Sequence, residues 1–150
     1  MEKLTRSGIE IELPDGWDGR IYRRQAEADT VTRRAMQAAS FALPPNLGDY
    51  AVGAVEQMRP SDVLVVLLEF DPANAGQGLF KNEGMPDTLG ADDFSPTAMP
   101  RAVPGKTAGQ WFFSLNDRAF CLYVVLGSHL ARADLLPLAR TVVGTIKVDE

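Results

Sequence analysis

Trp-Phe-Phe-Ser-Leu-Asn-Asp-Arg-Ala-Phe-Cys-Leu-Tyr-Val-Val-Leu, residues 111–126, reads as two apolar strands flanking Asn116-Asp117. A two-residue loop there pairs Phe113 with Phe120 and Trp111 with Leu122, and cross-strand partners share a face. Trp111, Phe113, Leu115, Phe120, Leu122 and Val124 then form one apolar surface. The opposite surface carries Phe112, Cys121, Tyr123 and Val125 and is nearly as apolar. Val63–Phe70 repeats the pattern, with Val63, Val65 and Leu67 on one side and Leu64, Val66, Leu68 and Phe70 on the other. A strand with a wet face alternates apolar and polar residues, and strands covered on both sides lose that alternation. The sequence therefore predicts an α+β fold whose antiparallel sheet is covered on both faces by few helices, or by helices on one face and a second subunit on the other.

Working outward, Ile9, Ile11 and Leu13 alternate with Glu10 and Glu12 as in a half-buried strand, and Pro14-Asp15-Gly16 signals a turn. A second strand follows at Arg20–Arg24. Residues 30–43 are ambiguous between helix and strand; strand is preferred, ended by Pro44-Pro45. Asp49 caps a helix over Tyr50–Met58, with Tyr50, Ala54, Val55 and Met58 inward. Residues 71–109 hold most of the chain's prolines and glycines, and a loop this long inside a domain is uncommon. Leu79, Phe80, Met85, Leu89, Phe94 and Met99 are spaced to pin it to the body. Asp134 is the expected N-cap of a last helix, with Pro137 in its first turn and Gly144 as its stop, leaving Thr145–Val148 as a tail or edge strand.

The chain of 150 residues, 45% hydrophobic and 23% charged, reads as one domain, 1–150, with that long anchored loop. Cys121 has no disulfide partner and sits mid-strand as a core residue. Met1–Glu12 carries too many charges for a signal-peptide core, and no run reaches the ~18 apolar residues that span a bilayer, so a cytoplasmic location is expected. The net charge of −5 argues against nucleic acid as partner. Arg20, Arg23, Arg24, Arg33 and Arg34 could form a phosphate-binding patch, but read better as edge-strand charges that discourage sheet-to-sheet pairing.

Candidate chemistry is thin. Gly105-Lys106-Thr107 ends like a phosphate-binding loop, yet Pro100 stands where the first glycine belongs and a strand follows where a helix should. His129 has no second histidine for zinc, and as neighbours Ser128 and His129 make a poor nucleophile and base. Glu69, Asp71, Glu83, Asp87, Asp92 and Asp93 are read as an acidic loop; it fails the calcium pattern, with Ala73 and Ala75 at ligand positions. No catalytic residue, cofactor or metal is expected.

Leu13-Pro14-Asp15-Gly16-Trp17, closing a first strand, resembles the Leu-Pro-x-Gly-Trp opening of domains with the Mog1/PsbP-like fold. The later order is similar too: an early hairpin, a helix, apolar strands, and a hairpin leading to a C-terminal helix. The resemblance implies an α/β/α sandwich and a non-enzymatic binding or assembly role; relatives act on a small GTPase or at photosystem II. No partner-binding residue carries over. The leading expectation is a non-catalytic protein-interaction or assembly module, with a protein partner or a homodimer and no membrane. Phe80, Phe94 and Arg101 are the expected partner-facing residues, because aromatics and Arg are enriched at interface hot spots. The alternatives are a small-ligand carrier with the 71–109 loop over a pocket, and a hydrolase using loop carboxylates with His129.

Overall fold

Alternation at Ile9–Leu13 and unbroken apolar runs later in the chain resolve, in a computed structural model, into an α+β fold with two antiparallel sheets. The structure describes residues 2–24, 33–44, 52–86, 88–99 and 103–148. Among them the chain runs through β1 (Glu2–Arg6), β2 (Ile9–Leu13), β3 (Asp18–Arg24), β4 (Arg33–Ala39), α1 (Val52–Gln57), β5 (Val63–Phe70), β6 (Thr107–Leu115), β7 (Arg118–Leu126), α2 (Arg132–Gly144) and β8 (Lys147–Val148). The larger sheet has the order β3-β4-β5-β7-β6 and the smaller the order β1-β2-β8.

The hairpin β6–β7 has the expected register, Phe113 opposite Phe120 and Trp111 opposite Leu122. Asn116 and Asp117 hold φ of 53° and 59°, the left-handed pair that a two-residue hairpin turn requires. Side chains of β5 feed two separate clusters. Val63, Val65 and Leu67 join Phe113, Phe120, Leu122, the β2 residues Ile9, Ile11 and Leu13, and the α2 residues Leu136, Ala139, Val142 and Val143. Leu64, Val66 and Leu68 join Tyr123, Val125, Ala54, Val55, Met58 and Met99. Both faces of β5 and β7 are thus dry, as the lost alternation implied.

Several elements differ from expectation. β2 and β3 form no hairpin; β2 pairs with β1 and β8, and β3 with β4. Gly16, at φ +83°, closes a turn in which the Trp17 N–H donates to Pro14 O at 3.1 Å, and the chain passes from one sheet to the other. β1 is carried by pairing rather than by its own apolar content, for only Leu4 in it is hydrophobic. Residues 33–39 are strand, as preferred; Ala54 and Val55 of α1 and Met58 just after it are buried, while Asp49 and Tyr50 lie outside the described residues. α2 starts at Arg132, before Asp134; Ala131 sits at its N-cap without a side-chain bond, and the Ser128 hydroxyl accepts the Ala131 N–H at 3.1 Å. Pro137 therefore lies inside the helix. Gly144 is the last helical residue, and β8 forms an edge strand on β2.

Candidate functional site

β6 is an edge strand, and such an edge presents a row of N–H and C=O groups to anything that can pair with them. In a hairpin closed by a two-residue loop, successive residues alternate between bonding inward and facing out. Here Ala108, Gln110, Phe112 and Ser114 face out. The long loop meets this edge at two places. At one end the Ser114 N–H donates to Asn82 O and the Gly84 N–H donates to Ser114 O, both at 2.7 Å. At the other, Ser95 and Ala108 exchange both backbone bonds, at 2.8 and 3.1 Å. Between these clamps the backbone N–H and C=O groups of Gln110 and Phe112 have no partner among the described residues.

A groove of about 530 Å³ opens along this interval. Leu79, Glu83, Met85, Pro86 and Thr88 form the loop side, and Gln110, Trp111 and Phe112 the strand side. The Trp111 ring folds back over Gly109, where a Cβ would lie 2.6 Å from the ring, and packs edge-on against Phe94 with centroids 5.6 Å apart. Leu79, 67% exposed, offers its side chain to solvent at the rim. A smaller cavity of about 220 Å³ lies on the far side of Met85 and Pro86, against Leu89, Arg140, Val143 and Ile146.

The loop wall is held from below and from the side. Phe80 is buried among Phe70 and Phe112, with both centroid distances 5.6 Å. The Ser114 hydroxyl donates to Phe80 O at 2.6 Å and accepts the Gly76 N–H at 2.7 Å. From α2, Arg140 Nε donates to Leu89 O at 2.7 Å and Arg132 Nε to Ala91 O at 3.1 Å. Of the residues expected to pin 71–109, Phe80, Leu89, Phe94 and Met99 are buried and Met85 is half-buried, whereas Leu79 faces solvent; β6 begins at Thr107 and takes the last residues of that range.

Phe80 and Phe94 are 8% and 4% exposed, so their rings anchor the loop rather than face a partner. Arg101 lies outside the described residues. Ser114 and Gln110 escaped the sequence reading; the one available signal was Ser114 itself, a lone hydroxyl interrupting Trp-Phe-Phe-Ser-Leu.

The remaining candidates are dispersed. Glu69 does not belong to the acidic loop: it is buried on β5 and takes Arg118 Nε at 2.5 Å, with the guanidinium lying over the Phe120 ring. The register explains this, since Glu69 sits opposite Phe120, two residues along from Arg118. Asp71 accepts the Ala73 N–H and Asp93 the Gly90 N–H, so both cap tight turns. Asp87 is outside the described residues. His129 Nδ1 meets Thr107 Oγ1 at 3.0 Å, and no carboxylate bonds to it among the described residues. Lys106 precedes a strand, not a helix, and Cys121 is buried in β7. Among the described residues no three His, Cys, Asp or Glu side chains cluster as metal ligands, and no helix is long and apolar enough to cross a membrane.

Comparison of the chain with protein-family models, curated proteins and solved structures finds no match.

Proposed function

We propose that this protein is a non-catalytic interaction module that takes an extended segment of a partner chain along the open interval of β6. The observation that carries this reading is the pair of outward rungs at Gln110 and Phe112, unpartnered among the described residues and flanked by satisfied ones. Addition of a strand to such an edge gives affinity through main-chain bonds, and the pockets beside it give selectivity. Leu79, Met85 and Trp111 supply the apolar walls for alternate side chains. The test is amide hydrogen exchange with a library of short extended peptides. Binding slows exchange at Gln110 and Phe112, and Gln110→Pro, which removes one outward N–H and leaves the β6–β7 ladder intact, weakens it. A library in which no peptide slows those two amides ends the proposal.

A small-ligand carrier is the second reading, favoured by the groove volume of about 530 Å³, within the range of roughly 300–1,000 Å³ common for ligand sites. Thermal shifts across a metabolite panel test it; no stabilisation by any compound removes its support.

The architecture that accompanies the first reading is a Mog1/PsbP-like α/β/α sandwich. It is supported by the Leu13–Trp17 turn and by the position of α1 and α2 on opposite clusters of the larger sheet. A cytoplasmic setting belongs to the same proposal, and Cys121, a free thiol, suits a reducing compartment.

A further inference from the structure

Resting on the edge-docking reading above, we infer that the segment bound at β6 is a short stretch of unfolded chain carrying Lys or Arg beside an apolar residue, and not a strand of a folded sheet.

Length comes first. The clamps at Ala108 and Ser114 are six residues apart, about 20 Å at ~3.3 Å per residue, and only the rungs at Gln110 and Phe112 lie between them. A visiting chain has room for about three residues in ladder register before it must turn away. Strands of folded sheets usually run ~5–6 residues and carry neighbours with them. Such a strand would run into Asn82–Gly84 at one end and Ser95 at the other. The same collision bars a second copy of this chain: two β6 edges paired antiparallel about Trp111 put residue 108 of each beside residue 114 of the other, where Asn82 and Gly84 already bond. An unfolded segment arches in and out without meeting either clamp.

Charge sets the second half. Among the described residues lining the groove, Glu83 is the only ionisable one. It is exposed and forms no ion pair among the described residues, and its backbone bridges Ser114. A cation placed just beyond the Phe112 rung would reach it. The apolar walls at Leu79, Met85 and Trp111 call for an aliphatic residue next to that cation. The net charge of −5 favours the approach of a basic segment at low salt.

The test titrates the full chain, by NMR of its amides, with acetylated seven-residue peptides of Val-Thr-Val centre flanked by Lys, Gln or Glu. The Lys peptide binds at least tenfold more tightly than the Glu peptide, shifts the Gln110 and Phe112 amides, and loses its advantage at 0.5 M salt. Glu83→Gln equalises the Lys and Glu peptides and leaves the Gln peptide unchanged. Equal affinities for Lys and Glu peptides, or a Glu83→Gln variant that still discriminates, overturn the charge assignment. Concentration-dependent dimerisation abolished by Gln110→Pro overturns the unfolded-chain assignment in favour of a second copy. Failure of all three peptides to move those amides removes the edge-docking reading itself.

Discussion

Ser114 holds Phe80 by its main chain: the Ser114 hydroxyl, buried in β6, donates to the Phe80 carbonyl at 2.6 Å across a sequence gap of 34 residues. The same hydroxyl accepts the Gly76 N–H, and the Ser114 backbone takes Asn82 and Gly84. One residue, through its side chain at Gly76 and Phe80 and its backbone at Asn82 and Gly84, thus ties both ends of the 76–84 segment to the edge strand. Replacing Ser114 by Ala leaves the buried Phe80 carbonyl without its partner and frees the partly buried Gly76 N–H, at a cost of about 1–3 kcal/mol. Urea unfolding gives the total, and exchange of the 76–84 amides rises more than that of β5.

Gly127 and Gly144 respond oppositely to alanine. A Cβ at Gly127 would lie 2.0 Å from the Arg59 carbonyl oxygen, where the Gly127 N–H also donates to Asp62 O at 2.8 Å. Backbone must move to admit it, so Gly127→Ala destabilises by about 3 kcal/mol or more. At Gly144 nothing lies within 4 Å and the residue is helical, so Gly144→Ala stabilises by roughly 0.5–1 kcal/mol. Thermal melts of the two variants should move in opposite directions.

Asp62, 2% exposed, predicts an acid limb in the stability curve. Burial pushes its carboxyl up. The Arg59 backbone N–H, the Arg59 guanidinium and the Ser40 hydroxyl together outweigh that and hold it below the ordinary carboxylate value. A group whose folded value is depressed contributes stability that is complete above the unfolded value, about 3.9, and is lost as pH falls towards the folded one. Unfolding free energy measured between pH 6 and pH 2.5 falls less steeply in Asp62→Asn than in the parent chain. Parallel slopes would contradict this.

Gly109→Ala tests the seat of Trp111. The added methyl would meet the indole at 2.6 Å and the Asp93 carbonyl at 3.0 Å, so the ring must leave Phe94. In a Trp17→Phe background, Trp111 emission moves to longer wavelength as the ring enters water. An unchanged spectrum would show that the ring has another seat.

How much was legible in the sequence follows the range of the forces involved. Asn116-Asp117 fixed the register of β6 and β7 because turn chemistry is local, and Val63–Phe70 showed its burial in its own composition. The start of α2 was misplaced because Asp134 has the look of a cap, while Ser128, six residues earlier, makes the bond that turns the chain in. β1 was invisible: its residues are mostly charged and exposed, and its strand conformation is dictated by β2. The open interval of β6 was out of reach because it is defined by what residues 82–84 and 95 do some 13 to 32 positions upstream. Phe80 and Phe94 misled because an aromatic in a loop reads the same whether it faces out or anchors the loop from within.

Arg132 and Arg140 grip the carbonyls of Ala91 and Leu89, atoms that every amino acid possesses. A hold of that kind is indifferent to spelling. Exposed letters along the rim, Thr88 among them, are therefore free to be rewritten while the wall keeps its place, which makes this groove a natural starting point for selecting new specificities on an unchanged frame.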